Sequence, residues 1–256
     1  MKRSSRARTG ATVAVSVLSL ALITGCGGES DGSDDSKDTE SSSSQTQAAK
    51  ALSAAELEKL LLAQGEVKGY RVASGDDTLP KSKTEVKTDK AECDPLAWAT
   101  AGLAPGDTDA NASNTVAEDK ASTATAQPED IADAFNVNMT FVGLSSYEGD
   151  GAEKAMKAVS DGVSACSGGY GLTTGGEDSK VTKVASVKGS ALGDESVAFA
   201  EDVDMDGEGT ATFHTEVVRK GNTIATFYTV NFAALGTGKA AEIPAAVVEA
   251  QVAKLK

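Results

Sequence analysis

The chain has 256 residues, 24 of them basic and 38 acidic, for a formal net charge of -14 and a pI near 4.5. A surface this acidic repels phosphate backbones and anionic headgroups, which argues against nucleic acid as a partner and against a polybasic membrane contact. With 40% apolar residues, only 4% aromatic residues and 26 glycines, alanine and valine must fill much of the core. A single large aromatic pocket is not expected, and the length has room for one large or two small domains.

Lys2, Arg3, Arg6 and Arg8 precede an uncharged apolar run from Ala11 to Ile23, the pattern of an export signal. A helix over that run reaches about 20 Å, short of the ~30 Å hydrocarbon core, so it is not read as a stable membrane span. The run ends in Leu22-Ile23-Thr24-Gly25-Cys26, which resembles the lipobox of bacterial lipoproteins. The resemblance implies diacylglycerol on the Cys26 thiol and cleavage just before it, making residues 1–25 a signal peptide. No consecutive arginine pair occurs, which points to the general secretory route. Residues 1–25 hold four basic and no acidic residues, so their removal takes the net charge from -14 to -18. The expected address is the outer face of the cytoplasmic membrane, held there by lipid on Cys26.

Residues 26–50 are rich in Gly, Ser, Asp, Glu, Thr and Gln, include Ser41-Ser42-Ser43-Ser44, and contain no large apolar side chain. Burial cannot offset the entropy of ordering such a segment, so it is read as a disordered acidic tether with a mean span of roughly 25 to 30 Å. Residues 51–256 are read as the globular domain. Ser53-Ala54-Ala55-Glu56 is a capping box ahead of Leu57, Leu60 and Leu61 at helical spacing, and Gly65 closes that short helix. Gly69-Tyr70-Arg71-Val72 starts a strand, and residues 74–90 are polar and without period. Cys93 opens a helix with Pro95 in its first turn, and residues 105–129 read mostly as loop, with one strand near Val116.

Phe135, Val137, Met139 and Phe141 alternate with polar residues as a half-buried strand. Ala152, Ala155, Met156, Val159, Val163 and Cys166 then share a helix face, with Glu153 and Lys157 as an exposed pair. A glycine-rich break over 168–176 precedes strands near 181–187, 196–203, 210–218 and 223–232, the last two joined at Lys220-Gly221-Asn222. Pro244 opens a terminal helix whose Val247, Val248, Val252 and Leu255 share a face. Hairpin strands with helices beside them predict an α+β fold, an antiparallel sheet with flanking helices in one domain.

Apart from Cys26, the cysteines are Cys93 and Cys166. An even remainder in an exported chain predicts one disulfide; the rival reading, a metal or reactive pair, has no C-x-x-C and only His214 to support it. That histidine lies opposite Phe213 and Val217 on its strand and is read as a surface residue, with no H-E-x-x-H and no G-x-S-x-G nearby. Asp202-Val203-Asp204-Met205-Asp206-Gly207 imitates the start of a calcium loop, but position twelve is Phe213, so it reads as an acidic hairpin turn. Gly236-Thr237-Gly238-Lys239 lacks the first glycine and closing hydroxyl of a P-loop, and Gly168-Gly169-Tyr170-Gly171 reads as a turn or rim loop. No cofactor or metal is expected, and no enzyme, since a hydrolase would have only paired carboxylates to draw on.

The lipobox, the acidic serine-rich tether, Leu57-Glu58-Lys59-Leu60-Leu61-Leu62 leading to Val67-Lys68-Gly69-Tyr70, and the cysteine pair across the middle together resemble actinobacterial envelope lipoproteins. Over residues 51–256 they are similar to the extracellular sensor domain of PknH-type serine/threonine kinases. That resemblance implies a curved antiparallel sheet with flanking helices and a cleft for an unidentified ligand. The expected function is a lipid-anchored sensor-like or ligand-binding domain; the alternative is a non-catalytic interaction or structural module of the envelope. Tyr70, Trp98 and Tyr228 are the scarce amphipathic aromatics available to line a ligand site. The partners expected are the membrane, through Cys26, and a small ligand or an envelope protein.

Overall fold

The computed structural model describes residues 50–74, 79–119, 136–206, 209–235 and 239–255. The segment read as a signal peptide, Cys26, and the segment read as a tether up to residue 49 lie outside the described residues. Nine strands form one antiparallel sheet: β1 (Tyr70–Ser74), β2 (Val86–Thr88), β3 (Asn111–Glu118), β4 (Asn138–Ser146), β5 (Tyr170–Thr174), β6 (Glu177–Ser186), β7 (Glu195–Asp204), β8 (Thr210–Lys220) and β9 (Thr223–Asn231). Their order is β1-β3-β4-β9-β8-β7-β6-β5-β2, so β5 to β9 run as successive hairpins and β9 closes onto β4. Among the described residues there are four α-helices: α1 (Ala54–Leu60), α2 (Asp94–Thr100), α3 (Gly151–Ala165) and α4 (Ala245–Ala253). The α+β class with an antiparallel sheet is therefore as the hairpin pattern predicts.

Alternation along the central strands sends neighbouring side chains to opposite faces, and both faces are apolar. Val217 and Ile224 belong to one buried cluster with α2 and α3, including Leu96, Met156, Val159 and Phe199. Val218, Ala225 and Phe227 belong to the other, with Leu57 of α1 and Val247 and Val248 of α4. Helices must therefore cover the sheet on both sides. β4 shows the consequence: it runs from Asn138 to Ser146 and is buried on both faces, whereas the sequence pattern predicts a half-buried strand starting near Phe135, which lies outside the described residues.

Each helix is held by contacts its sequence makes possible. Ser53 donates from its backbone N–H and its hydroxyl to Glu56 Oε2, at 2.8 and 2.7 Å, which starts α1 as the capping box predicts. The open end of α1 is completed by Gln251 of α4, fully buried, which accepts from Leu62 N at 3.0 Å and donates to Leu60 O at 2.8 Å. Lys254 adds a bond to Leu61 O at 2.7 Å. Lys157 of α3 pairs with Asp161 at 2.6 Å in place of Glu153, one turn on in the opposite direction. At Gly143 of β4 an added Cβ would lie 2.3 Å from the carbonyl oxygen of Gly102, so the turn after α2 reaches the sheet only because no side chain stands there.

Two strands escaped the periodicity and a third is the one expected near Val116. β2 lies in the polar stretch 74–90 and β5 occupies the glycine-rich break, while β3, around Val116, runs from Asn111 to Glu118. Gly168-Gly169-Tyr170-Gly171 is accordingly the entry into a strand, with Tyr170 buried. These segments are strands because neighbours pair with them: β5 aligns Tyr170 with Val181 and β3 aligns Val116 with Thr140.

Cys93 and Cys166 are joined, with Cα atoms 5.9 Å apart and a sequence separation of 73. Both are fully buried and tie the start of α2 to the end of α3. In the chain-entropy model a bridge of this span stabilises by about 4 kcal/mol. Replacing both cysteines by alanine is expected to lower the unfolding free energy by roughly 2 to 4 kcal/mol in urea titrations, with reductant changing the parent but not the double variant. Coincident curves for parent and variant under oxidising conditions would show that the bridge contributes nothing.

Candidate functional site

The aromatics singled out by sequence do not converge. Tyr70 packs with the cluster under α1 and α4, whereas Trp98 packs with the cluster under α2 and α3. Tyr228 follows Ile224 in alternation and so shares the α2 side with Trp98. The rings against it are Phe141, stacked at 5.7 Å, and Phe213, tilted at 5.6 Å. Burial pushes the Tyr228 hydroxyl well above its ordinary pKa, and the nearby Glu201 adds to the rise. Trp98 carries the Lys83 ammonium 4.3 Å above its ring, and its indole N–H is buried without a partner among the described residues. Burial lowers the Lys83 pKa while Asp107 and Asp109 oppose the shift.

Beside this aromatic group lies a buried carboxyl that the sequence reading missed. Glu201 of β7 is 3% exposed and aligned with Phe213 of β8. Tyr170 Oη donates to it at 2.5 Å and Thr100 Oγ1 at 2.8 Å. Thr215 Oγ1 lies 2.9 Å from Thr100 Oγ1. With Glu201 ionised the Thr100 proton points to it and Thr215 is the donor in that second bond, giving a relay from sheet to helix to carboxyl. No Lys or Arg pairs with Glu201 among the described residues, and burial raises its pKa against the lowering effect of the Tyr170 and Thr100 bonds. This arrangement anchors the end of α2 to the sheet. It is enclosed, and it offers a ligand little access.

The sign of its pH effect follows from the raised value. The folded protein holds a proton that the unfolded chain has released, so this group's stabilisation is full below the ordinary carboxyl pKa and is lost as pH rises through the raised one. Glu201→Gln is expected to flatten the fall in unfolding midpoint as pH rises above the ordinary carboxyl range, relative to the parent. Parallel midpoint curves for the two proteins would remove Glu201 as the titrating group.

The opposite face carries the better-formed site. A cavity of about 370 Å³ is lined by Lys188, Gly189 and Ser190 from the β6–β7 loop, His214 and Glu216 from β8, and Glu242, Ile243, Ala245 and Val248 at the start of α4. Its size falls in the lower range of small-molecule pockets. Strand alternation places His214 and Glu216 on one face, aligned with Ala200 and Ala198 of β7. Ser190 donates to Glu216 Oε1 from its N–H at 2.7 Å and from its hydroxyl at 2.6 Å. These bonds let Glu216 sit only 4% exposed. Gly189 fits closely against this pair: an added Cβ would be 2.9 Å from Glu216 Oε1 and 3.1 Å from the Ala198 Cβ, so the Glu216 carboxyl would have to shift.

His214 is thus half-buried in a cavity wall, where the sequence reading has it on the surface. Its shared face with Glu216 was visible in the alternation Phe213-His214-Thr215-Glu216-Val217; the loop that brings Ser190 over them was not. The acidic run at Asp202 closes β7 and enters the β7–β8 turn, with Met205 N donating to Gly209 O at 3.0 Å, while Gly207 and Glu208 lie outside the described residues. Gly236, Thr237 and Gly238 also lie outside them. Among the described residues no group of three or more His, Cys, Asp or Glu is placed to hold a metal ion. None of the described helices is long and apolar enough to cross a membrane.

No family model and no curated protein matches the chain. Among solved structures it is similar to the extracellular domain of PknH from Mycobacterium tuberculosis, with 13% identity and a TM-score of 0.44, over 80% of this chain and 95% of that one. It is also similar to an uncharacterized protein, the Rv0999 ortholog from Mycobacterium smegmatis, with 14% identity and a TM-score of 0.33, over 79% and 94% of the two chains. At TM-scores below 0.5 these are likenesses of outline, and no residue of the cavity is carried over from either.

Proposed function

We propose that this protein is a non-catalytic, lipid-anchored binding domain at the outer face of the cytoplasmic membrane, and that its cavity between β8 and α4 receives a small ligand. The observation that supports binding is the cavity itself: about 370 Å³, walled by the apolar Ala198, Ile243 and Val248 and carrying a few fixed polar groups, Glu216 foremost. The address is supported by the leader pattern and by the cysteines, since the Cys93–Cys166 bond uses two of the three and leaves Cys26 at the lipobox.

Two measurements test this reading. Cys26→Ser is expected to abolish incorporation of a clickable palmitate analogue and to move the protein from the membrane fraction into the soluble exported fraction; membrane retention without label would reject the anchor. The fraction below 1 kDa of an extract from the source cell envelope is expected to raise the Tm of the protein by several degrees, and to leave Ala245→Trp, which plugs the mouth of the cavity, unchanged. No rise in either protein would reject small-ligand binding and favour the interaction module.

A further inference from the structure

The chemistry of the cavity narrows what it binds, and this step rests on the ligand-binding reading above. Glu216 stands on a central strand, paired with Phe227 on one side and Ala198 on the other. Its immediate fixed partner is Ser190, a neutral residue, and among the described residues no Lys or Arg forms an ion pair with it. Both Ser190 bonds go to Oε1. A carboxylate held by neutral donors on a largely desolvated wall keeps a strong attraction for positive charge, because little water screens it.

The other charged groups divide by exposure. Glu242 adds a second carboxylate at the rim, exposed. Lys188 is exposed too, and the start of α4 at Ala245 is open to solvent, so water and salt screen both. The wholly buried contribution is therefore negative, and it sits inside the general field of a chain with net charge -14. A bare metal ion would need several protein ligands, and among the described residues no such cluster exists. An ammonium group needs only two or three acceptors, and its hydrocarbon part would lie on Ala198, Ile243 and Val248.

We infer that the cavity between β8 and α4 binds a small organic cation, a protonated amine on a short aliphatic body, with the ammonium against Glu216 and the aliphatic part against Ile243 and Val248. Glu216 is the buried charge partner, Ser190 positions it, and Glu242 draws the cation to the mouth.

The test is a ¹H–¹⁵N titration of the full-length protein with hexylammonium chloride, beside hexanoate and 1-hexanol as controls of the same length. Hexylammonium is expected to shift the amides of residues 187–190, 214–216 and 243–248 saturably, with at least tenfold weaker binding by Glu216→Gln. Glu242→Gln, a change at an exposed position that leaves the fold alone, is expected to weaken binding two- to fivefold. If hexanoate or hexanol shifts the same amides as strongly, the cation assignment falls while ligand binding stands. If none of the three moves them, or if a folded Glu216→Gln binds hexylammonium as the parent does, the assignment falls, and in the first of these cases the ligand-binding reading is weakened with it.

Discussion

Everything in this structure depends on a sheet that is apolar on both faces at its centre. In β8 and β9 the sequence gives Val217 and Ile224 to one side and Val218, Ala225 and Phe227 to the other. Neither side can face water, so two helix layers are obligatory: α2 and α3 on one, α1 and α4 on the other. The disulfide secures the first layer by joining the start of α2 to the end of α3, and Gln251 secures the second by joining α4 to the end of α1. In such an arrangement a carboxylate on a central strand is costly unless neutral donors surround it.

Two carboxyls break the apolar rule, and they are treated differently. Glu201 is closed in by Tyr170 and Thr100 and has a raised pKa, which suits a structural anchor between α2 and the sheet. Glu216 is held from one side by Ser190 and lines a cavity whose walls include the aliphatic Ala198, Ile243 and Val248 beside His214, Lys188 and Glu242. The same residue type thus serves to pin a helix on one face and to furnish a charged wall on the other. Packing around each side chain decides which.

Elements with a strong period were legible before any coordinates: the face of Ala152, Ala155, Met156 and Val159 marks α3, the alternations mark β6 to β9, and the capping box marks the start of α1. β3 was legible only as a strand near Val116, and β2 and β5 were not legible, because β2 is three residues in a polar stretch and β5 lies among glycines, so both become strands by pairing with neighbours. The candidate site was less legible still. Scarcity drew attention to Tyr70, Trp98 and Tyr228, yet Tyr70 falls on the opposite face from the other two. Glu216 and His214 were in plain view as one face of a strand, but the Ser190 loop and the start of α4 come from distant sequence, and only the fold brings them together.

The proposed function is a claim in two parts: lipid on Cys26 at the membrane, and a small molecule in the cavity of about 370 Å³. Native mass spectrometry of the protein released gently from its source envelope tests that claim most directly. The prediction is a mass carrying the lipid on Cys26 and, at low collision energy, a reproducible further mass of a few hundred daltons that Glu216→Gln does not retain. A protein that carries its lipid and nothing else, or one that keeps the added mass in Glu216→Gln, would contradict it.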